Sequence, residues 1–528
     1  MLRLKYGIIC LLLALFCSAE LVAQPVAGVP KVVVNVIIDQ LRDDYLQYFQ
    51  NSFGERGFKR LKNEGTVYHN VDFGFHSLSR SASVATIVTG TYPYYHGVTG
   101  DKKYDCRTLK EVSIVADDEY IGNFTGDRLS PAGLLSSTVG DELKVASGGF
   151  SDVFAIAPDA DAAILAAGHF ADAAFWIDDY NGNWASTTYY RNIPWYVDRY
   201  NAARNRKEYP AWTPMFDVYN GFPYLENTEH FKYSFRDGDG NRFRRLKQSP
   251  IINSEVTDLA AVFFDNADFG KRSFPDLLNV IYYAGNYHFR ENTSDFNLEI
   301  QDIYCRLDRE IERLIDIIEK KAGIGNTLVI VSSTGYYDSK EFYPDGRKAN
   351  GKFYPDRCTA LLNVYLMALY GEGNWVNGYY NQQIFLNHDL IGEMKVDPDE
   401  ILRKAADFMA QFSGVQEVTT AGQWFVNDTG RAATFRRGMH KKICGDIFIE
   451  LQPGWIVDKG NFVTRKDAGL KRNESVMTPL FFFGIGLKHA DIYRKISATQ
   501  IAPSVSYLLR INSPNSCRDF VLEEFILR

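Results

Sequence analysis

The chain has 528 residues, 46% of them hydrophobic and 23% charged, with a formal net charge of −7. This is a globular composition with ample core, long enough for more than one lobe. Its mild acidity excludes a nucleic-acid grip, which depends on a basic face.

Arg3 and Lys5 precede an apolar run from Tyr6 to Cys17, followed by small residues and a cut site after Ala23. Residues 1–23 therefore read as an export signal. The run is too short to span a membrane, and no later segment is long and apolar enough. The mature chain is expected in the periplasm, secreted or at the cell surface. Lipidation at Cys17 is disfavoured by the bulky Phe16 before it. Removal of 1–23 leaves 56 basic against 64 acidic side chains, a net charge of −8. The mature cysteines are Cys106, Cys305, Cys358, Cys444 and Cys517. An odd count without a CxxC spacing allows zero to two disulfides and gives no metal or redox motif.

Val32 to Asp39, VVVNVIID, is a continuous apolar run ending on a carboxylate. It reads as a strand buried on both faces of a parallel sheet, with Asp39 at the edge where ligands of open α/β sheets bind. LRDDYLQYF and GFKRLKNEG read as helices, and TVYHNVDFGF as a strand. In HSLSRSASVATIVTG a helix is predicted from Ala82 to Thr89, with Ser81 as its cap and Gly90 as its stop. The stretch 101–270 is rich in Tyr, Trp, Asn, Asp and Gly and reads as an insertion capping the sheet edge. Core-like sequence returns with a strand at Leu277–Tyr283, an amphipathic helix over Asn297–Lys320 and a strand at Thr327–Ser332. That order is a right-handed crossover unit. A second insertion covers 336–445. DIFIELQPGW and TPLFFFGIG read as two further core strands, and SATQIAPSVSYLLRI as a closing helix.

These segments, in this order, resemble the alkaline phosphatase superfamily, on the branch of secreted bacterial phosphatases near the type I phosphodiesterases and nucleotide pyrophosphatases. The carrying stretches include VIIDQLRDDYL, IVTGTYPYYHGVTG, AILAAGHF with AFWIDDYNGN, NTLVIVSS, LQPGW and TPLFFFGIG. The resemblance covers about 30–520 and implies an α/β fold, an alkaline-phosphatase-like three-layer sandwich. Its central, mainly parallel sheet would come from a core of about 30–100, 275–335 and 445–520, with inserted cap regions at about 101–270 and 336–445.

The resemblance also implies two zinc ions held by three Asp and three His, with a Thr or Ser nucleophile attacking phosphorus. Asp39 stands in the first metal slot. The nucleophile slot falls on Arg80, between Ser79 and Ser81. The next metal pair falls on Asn286 and Arg290, with His288 two residues out of register. The following pair falls on Thr334 and Gly335, and the last His slot on Ala468. The family's substrate-contacting Asn becomes Asp101, and its phosphate-clamping Lys and Arg become Asp159 and Asp161. One carboxylate with Asn, Arg, Thr, Gly and Ala cannot hold two zinc ions, and two anions repel a phosphate where two cations should hold it.

The expected protein is therefore a degenerate pseudophosphatase with a binding or accessory role. No cofactor is expected, Asp39 remains only as a remnant ligand, and Arg80 with Arg290 neutralises it. The alternative is a metal-dependent phosphomonoesterase or phosphodiesterase with a remodelled site. In it Ser79 or Ser81 attacks, and zinc sits on Asp39 with Asp338 or His288. A third reading is a metal-free carbohydrate- or anion-binding protein using aromatic rings of residues 170–235. Partners are open between a protein and an anionic or carbohydrate ligand. His96 and His169 read as structural.

Overall fold

β-Branched side chains lose rotamer freedom in a helix and pack well between two layers. Val32–Asp39 accordingly forms a strand, β1, with all eight residues buried. The computed structural model describes residues 28–190, 193–204, 208–216, 231–236, 240–285, 298–340, 351–426, 430–458 and 471–526. The expected signal segment 1–23 lies outside them, as do Asn286, His288, Arg290 and Ala468.

β1 sits in the middle of an 11-stranded sheet. The other strands are β2 (Thr66–Asp72), β3 (Gly122–Asn123), β4 (Val153–Ile156), β5 (Ala173–Ile177), β6 (Trp184–Thr187), β7 (Asp276–Tyr283), β8 (Thr327–Ser333), β9 (Thr478–Gly484) and β10 (Ala490–Ile492). The order is β10-β2-β9-β8-β1-β7-β4-β5-β6-β3, and Ile496–Ser497 pairs off this path with β2. The block β8-β1-β7-β4-β5 is parallel. β9 and β6 run antiparallel on either side of it. β7 and β8 are joined by the 24-residue helix Leu298–Lys321, whose stripe of Ile300, Ile303, Leu307, Ile311, Leu314, Ile315 and Ile318 is buried. It packs on the helix Ile251–Asn266. Arg80–Thr89, here α1, packs on Ala160–Ala167, here α2.

Two expected segment boundaries change. The stretch 101–270 is not only a cap: it supplies β3, β4, β5 and β6, as well as α2. Its strands are only two to five residues long, too short to stand out among loop-forming residues. Ile447–Leu451, expected in the main core, pairs instead in a separate four-stranded sheet with Val376–Tyr380, Gln383–Leu386 and Val415–Thr420. Leu362, Leu366, Ile401 and Met409, from the helices Pro355–Tyr370 and Pro398–Met409, cover it and close a second core with Ile384, Ile447 and Ile449. The five described cysteines, Cys106, Cys305, Cys358, Cys444 and Cys517, are free thiols.

Two buried polar contacts fix the elements that carry the site. Asn35 on β1 donates to Asn279 on β7 at 2.9 Å, and Asn279 donates to the Ala166 carbonyl of α2 at 3.1 Å. His96, the fully buried last residue of the helical turn Pro93–His96, lies 3.1 Å from Thr86 Oγ1 of α1 through Nε2. Its Nδ1 accepts from the Val98 amide at 3.1 Å. Burial, helped by His440, pushes its pKa down to about 3 although a backbone hydrogen bond acts the other way.

Asn279→Ala removes a donor from the Ala166 carbonyl and a partner from Asn35, and is expected to cost about 1–3 kcal/mol of unfolding free energy in urea titration. His96 gives a pH signature. In the unfolded chain an imidazole titrates near ~6.5, and in the folded chain only at about 3. The unfolded state therefore takes up the proton first, and this contribution to stability is lost as pH falls through that window. Urea midpoints between these limits should fall less steeply in His96→Gln.

Candidate functional site

The carboxyl ends of β1, β7 and β8 meet at one edge. Their register pairs Ile38 with Ser333 and Asp39 with Tyr283, which brings Thr334 beside Asp39. The Thr334 hydroxyl donates to Asp39 Oδ1 at 2.8 Å and accepts from the Gln40 amide at 2.9 Å. Gln40 has φ +63°, an uncommon left-handed conformation for a residue with a side chain. Gly335 follows with φ +77°, and a Cβ there would lie 2.1 Å from the Phe73 ring. This position has no room for a ligating side chain.

α1 begins beside that edge. Ser79, extended at φ −149° and ψ 165°, is its N-cap and accepts from the Ala82 amide. The predicted cap at Ser81 is thus two residues late, because Ser81 is held elsewhere. Its amide donates to Asp101 Oδ1 at 2.9 Å, and its hydroxyl to Asp161 Oδ2 at 2.6 Å.

Arg80 is the first residue of α1. Its Nη1 donates to Asp159 Oδ2 at 2.8 Å, Nη2 to Asp161 Oδ1 at 2.9 Å and Nε to Asp161 Oδ2 at 3.2 Å. Two forks of one guanidinium are spent on two carboxylates, with the two-point geometry that Lys cannot supply. The expected pairing of Arg80 with Asp39 gives way to this arrangement: Asp39 acts on Arg80 only as a nearby charge. Lys247 joins from the other side, 3.4 Å from Asp159 and 2.6 Å from Asp179.

The electrostatics follow from the crowding. Burial works against the charge on Arg80, but Asp159, Asp161, Asp101 and Asp39 outweigh it and hold the guanidinium well above its ordinary pKa. Burial also opposes ionisation of Asp159, yet Arg80 and Lys247 overcome it and keep that carboxyl below the usual range. Asp161 is shifted up, by burial and by the neighbouring Asp101 and Asp159.

Zinc does not fit the described donors. Asp39 offers a carboxylate whose Oδ1 already accepts a hydrogen bond from Thr334, Thr334 offers only a hydroxyl, and Gly335 offers nothing. Among the described residues no group of three His, Cys, Asp or Glu is placed to hold a metal. Asp338 lies on the strand Tyr336–Lys340, opposite Asn473. His169 is engaged by Asp141 at 3.2 Å and by the Leu134 carbonyl at 2.9 Å. Among the described rings of 170–235, the exposed ones are Phe170, Tyr180 and Trp195, and Trp195 packs edge-on against Tyr196.

The chain spans nearly the full length of the proteins it resembles. The family model for type I phosphodiesterase / nucleotide pyrophosphatase matches residues 33–470. A protein of Elizabethkingia meningoseptica named alkaline phosphatase PafA is 27% identical over 547 residues, covering 98% of this chain and 99% of the relative. Alkaline phosphatase PhoV of Synechococcus elongatus is 27% identical, with 99% and 100% covered. A Myroides odoratus protein named calcium-transporting ATPase is 27% identical, with 95% of each covered. The crystal structure of wild-type PafA superposes with a TM-score of 0.77 at 24% identity, covering 94% of this chain and 99% of that one. A PafA variant with one Thr, one Asn, one Lys and one Arg replaced gives 0.78 at 25% identity over the same shares. The replaced Thr and Asn stand 21 positions apart in that protein, and the Lys and Arg two apart.

Arg80→Met leaves Asp159 and Asp161 facing each other without their shared cation. Arg80 keeps 23% of its side-chain exposure and Asp161 10%, so the expected loss lies near the lower end of a broken buried pair, about 3 kcal/mol. Chemical denaturation of both proteins at neutral pH measures it.

Proposed function

The chain belongs to the type I phosphodiesterase / nucleotide pyrophosphatase family, and from that premise we propose that it is a catalytically degenerate member, exported to the periplasm or cell surface, with a binding or accessory role. The observation that carries this reading is the Arg80–Asp159–Asp161 cluster. Family chemistry requires a hydroxyl nucleophile, cations on the phosphate and ligands for two metal ions. The separations in the PafA variant support the slot assignment: Arg80 and Asp101 are the same 21 positions apart, and Asp159 and Asp161 the same two. At those positions this chain carries a cation where a hydroxyl is needed and anions where phosphate is bound.

The cluster is also complete in itself. The guanidinium occupies the carboxylates, and the carboxylates occupy Ser81. A phosphate dianion approaching the start of α1 meets Asp101, Asp159 and Asp161 and finds the nearest cation already bound. Ser79 is committed to the helix cap, and neither Ser79 nor Ser81 has a histidine partner among the described residues. A serine mechanism lacks a base of the ordinary kind there.

The test is turnover of p-nitrophenyl phosphate and bis-p-nitrophenyl phosphate by the mature protein supplied with zinc. The expected rate is that of buffer with zinc alone, unchanged by Ser79→Ala or Ser81→Ala. Turnover well above that background, abolished by either alanine variant, would establish the remodelled hydrolase instead.

A further inference from the structure

A cavity lies at the far end of α1, away from the Arg80 cluster. Gly90, at φ +66°, is the C-cap of the helix that Arg80 begins. A helix of 10 residues places the two ends about 15 Å apart. The cavity around Gly90 has a volume of about 320 Å³. Its lining comes from three distant parts of the chain. Tyr92, Tyr94 and Tyr95 follow α1, Arg436 and Arg437 end the helix Gly430–Arg437, and Arg518 and Asp519 lie in the C-terminal segment.

Most charged groups of this lining are already engaged. Arg436 has a partner of its own. Arg437 Nη1 donates to the Gly74 carbonyl at 3.3 Å, and the same guanidinium lies 5.0 Å from the Tyr92 ring centre. Asp519 accepts from the Thr499 hydroxyl. What stays uncommitted among the described residues is of another kind: the hydroxyls of Tyr92, Tyr94 and Tyr95, and the edge of Arg518. Arg518 lies 4.5 Å from the Tyr95 ring centre, a stacking that fixes the guanidinium plane and leaves its edge donors available.

A phenol hydroxyl both donates and accepts, whereas an anion only accepts. Three free phenols therefore match a ligand that carries hydroxyls of its own. An apolar ligand would leave them desolvated and unpaired. An anion would face Asp519 beside Arg518 and the end of α1, which carries about half a negative charge. The tyrosine rings supply the apolar part of the wall. Each is half-buried, and their ring neighbours meet them edge-on or tilted: Tyr94 against Tyr95 at 82° and Phe425 at 58°, Tyr92 against Phe75 at 76°. Among the described residues no ring is stacked flat on any of the three.

We propose that this cavity binds a neutral sugar, a pyranose whose C–H face packs on the tyrosine rings and whose hydroxyls exchange hydrogen bonds with the phenols and Arg518. Tyrosine suits both halves of such a contact, with an apolar ring and a polar tip. The volume sits at the lower end of small-molecule sites, ~300–1,000 Å³, which fits a small ring compound. The proposal does not depend on whether the cluster at Arg80 is catalytic.

The test is saturation-transfer NMR on the mature full-length protein. The probes are methyl β-D-glucopyranoside, methyl β-D-galactopyranoside and methyl α-D-mannopyranoside. Cyclohexanol keeps the ring but only one hydroxyl, and glucuronate adds a negative charge. At least one pyranoside is expected to bind with millimolar affinity, more tightly than cyclohexanol or glucuronate. Its affinity should fall at least fivefold in Tyr94→Leu and in Arg518→Met. Arg518 is exposed, so the second variant leaves the fold intact. Binding should persist in Ser81→Ala, which alters the cluster at the other end of α1. No saturation transfer to any pyranoside at tens of millimolar, binding of cyclohexanol or glucuronate as tight as that of the best pyranoside, or unchanged affinity in either variant would each overturn the proposal. So would binding lost in Ser81→Ala, which would place the sugar at the other end of the helix.

Discussion

One guanidinium shared between two carboxylates governs the edge of the sheet where ligands of this fold bind. Arg80 starts α1, and Asp159 and Asp161 start α2. Their ion pairs tie the two helices together at the mouth of the sheet. Asn279 holds the other end of α2 through the Ala166 carbonyl and is itself anchored to β1 by Asn35. Three strands and two helices thus meet at this edge, with the cation on one helix and both anions on the other. Opposite charges on the two sides keep the edge stable. An arginine without the two aspartates, or the aspartates without the arginine, would leave a buried charge unpaired, which costs far more than the pair contributes.

The neighbouring positions on the sheet edge are filled by packing. The Thr334 hydroxyl donates to Asp39 Oδ1. Phe73 fills the space beside Gly335, so that even a methyl group is excluded. These are packing solutions, and they explain how an apolar core can extend up to a carboxylate that is 2% exposed.

Much of this was legible in the residues. The β-branched run of β1, the amphipathic stripe of Leu298–Lys321 and the run at Thr327–Ser333 announce a parallel sheet; counting back from Gly90 finds Arg80, and the AILAAGH stretch finds Asp159 and Asp161. What the sequence concealed was their partnership. Two reversals of opposite sign, in slots that face one phosphate, point to each other, but Arg80 fell in a slot beside the first metal position, so Asp39 drew the expected ion pair. Ser79 and Ser81 are equally good caps by type, and only the Asp161 hydrogen bond decides between them. Lys247 lies in RFRRLK, and nothing in that pattern signals a contact with Asp159. The short strands β3 to β6 carry too few residues each to show a period of two.

Zinc stoichiometry tests the central claim most directly. The mature protein, dialysed against trace zinc and then against metal-free buffer, is analysed for bound metal per chain. An edge sealed by Arg80, Thr334 and Phe73 predicts zinc near zero and unchanged denaturation midpoints after chelation. One or two tightly held ions per chain, with stability lost on chelation, would contradict the account and return the chain to the catalytic members of its family.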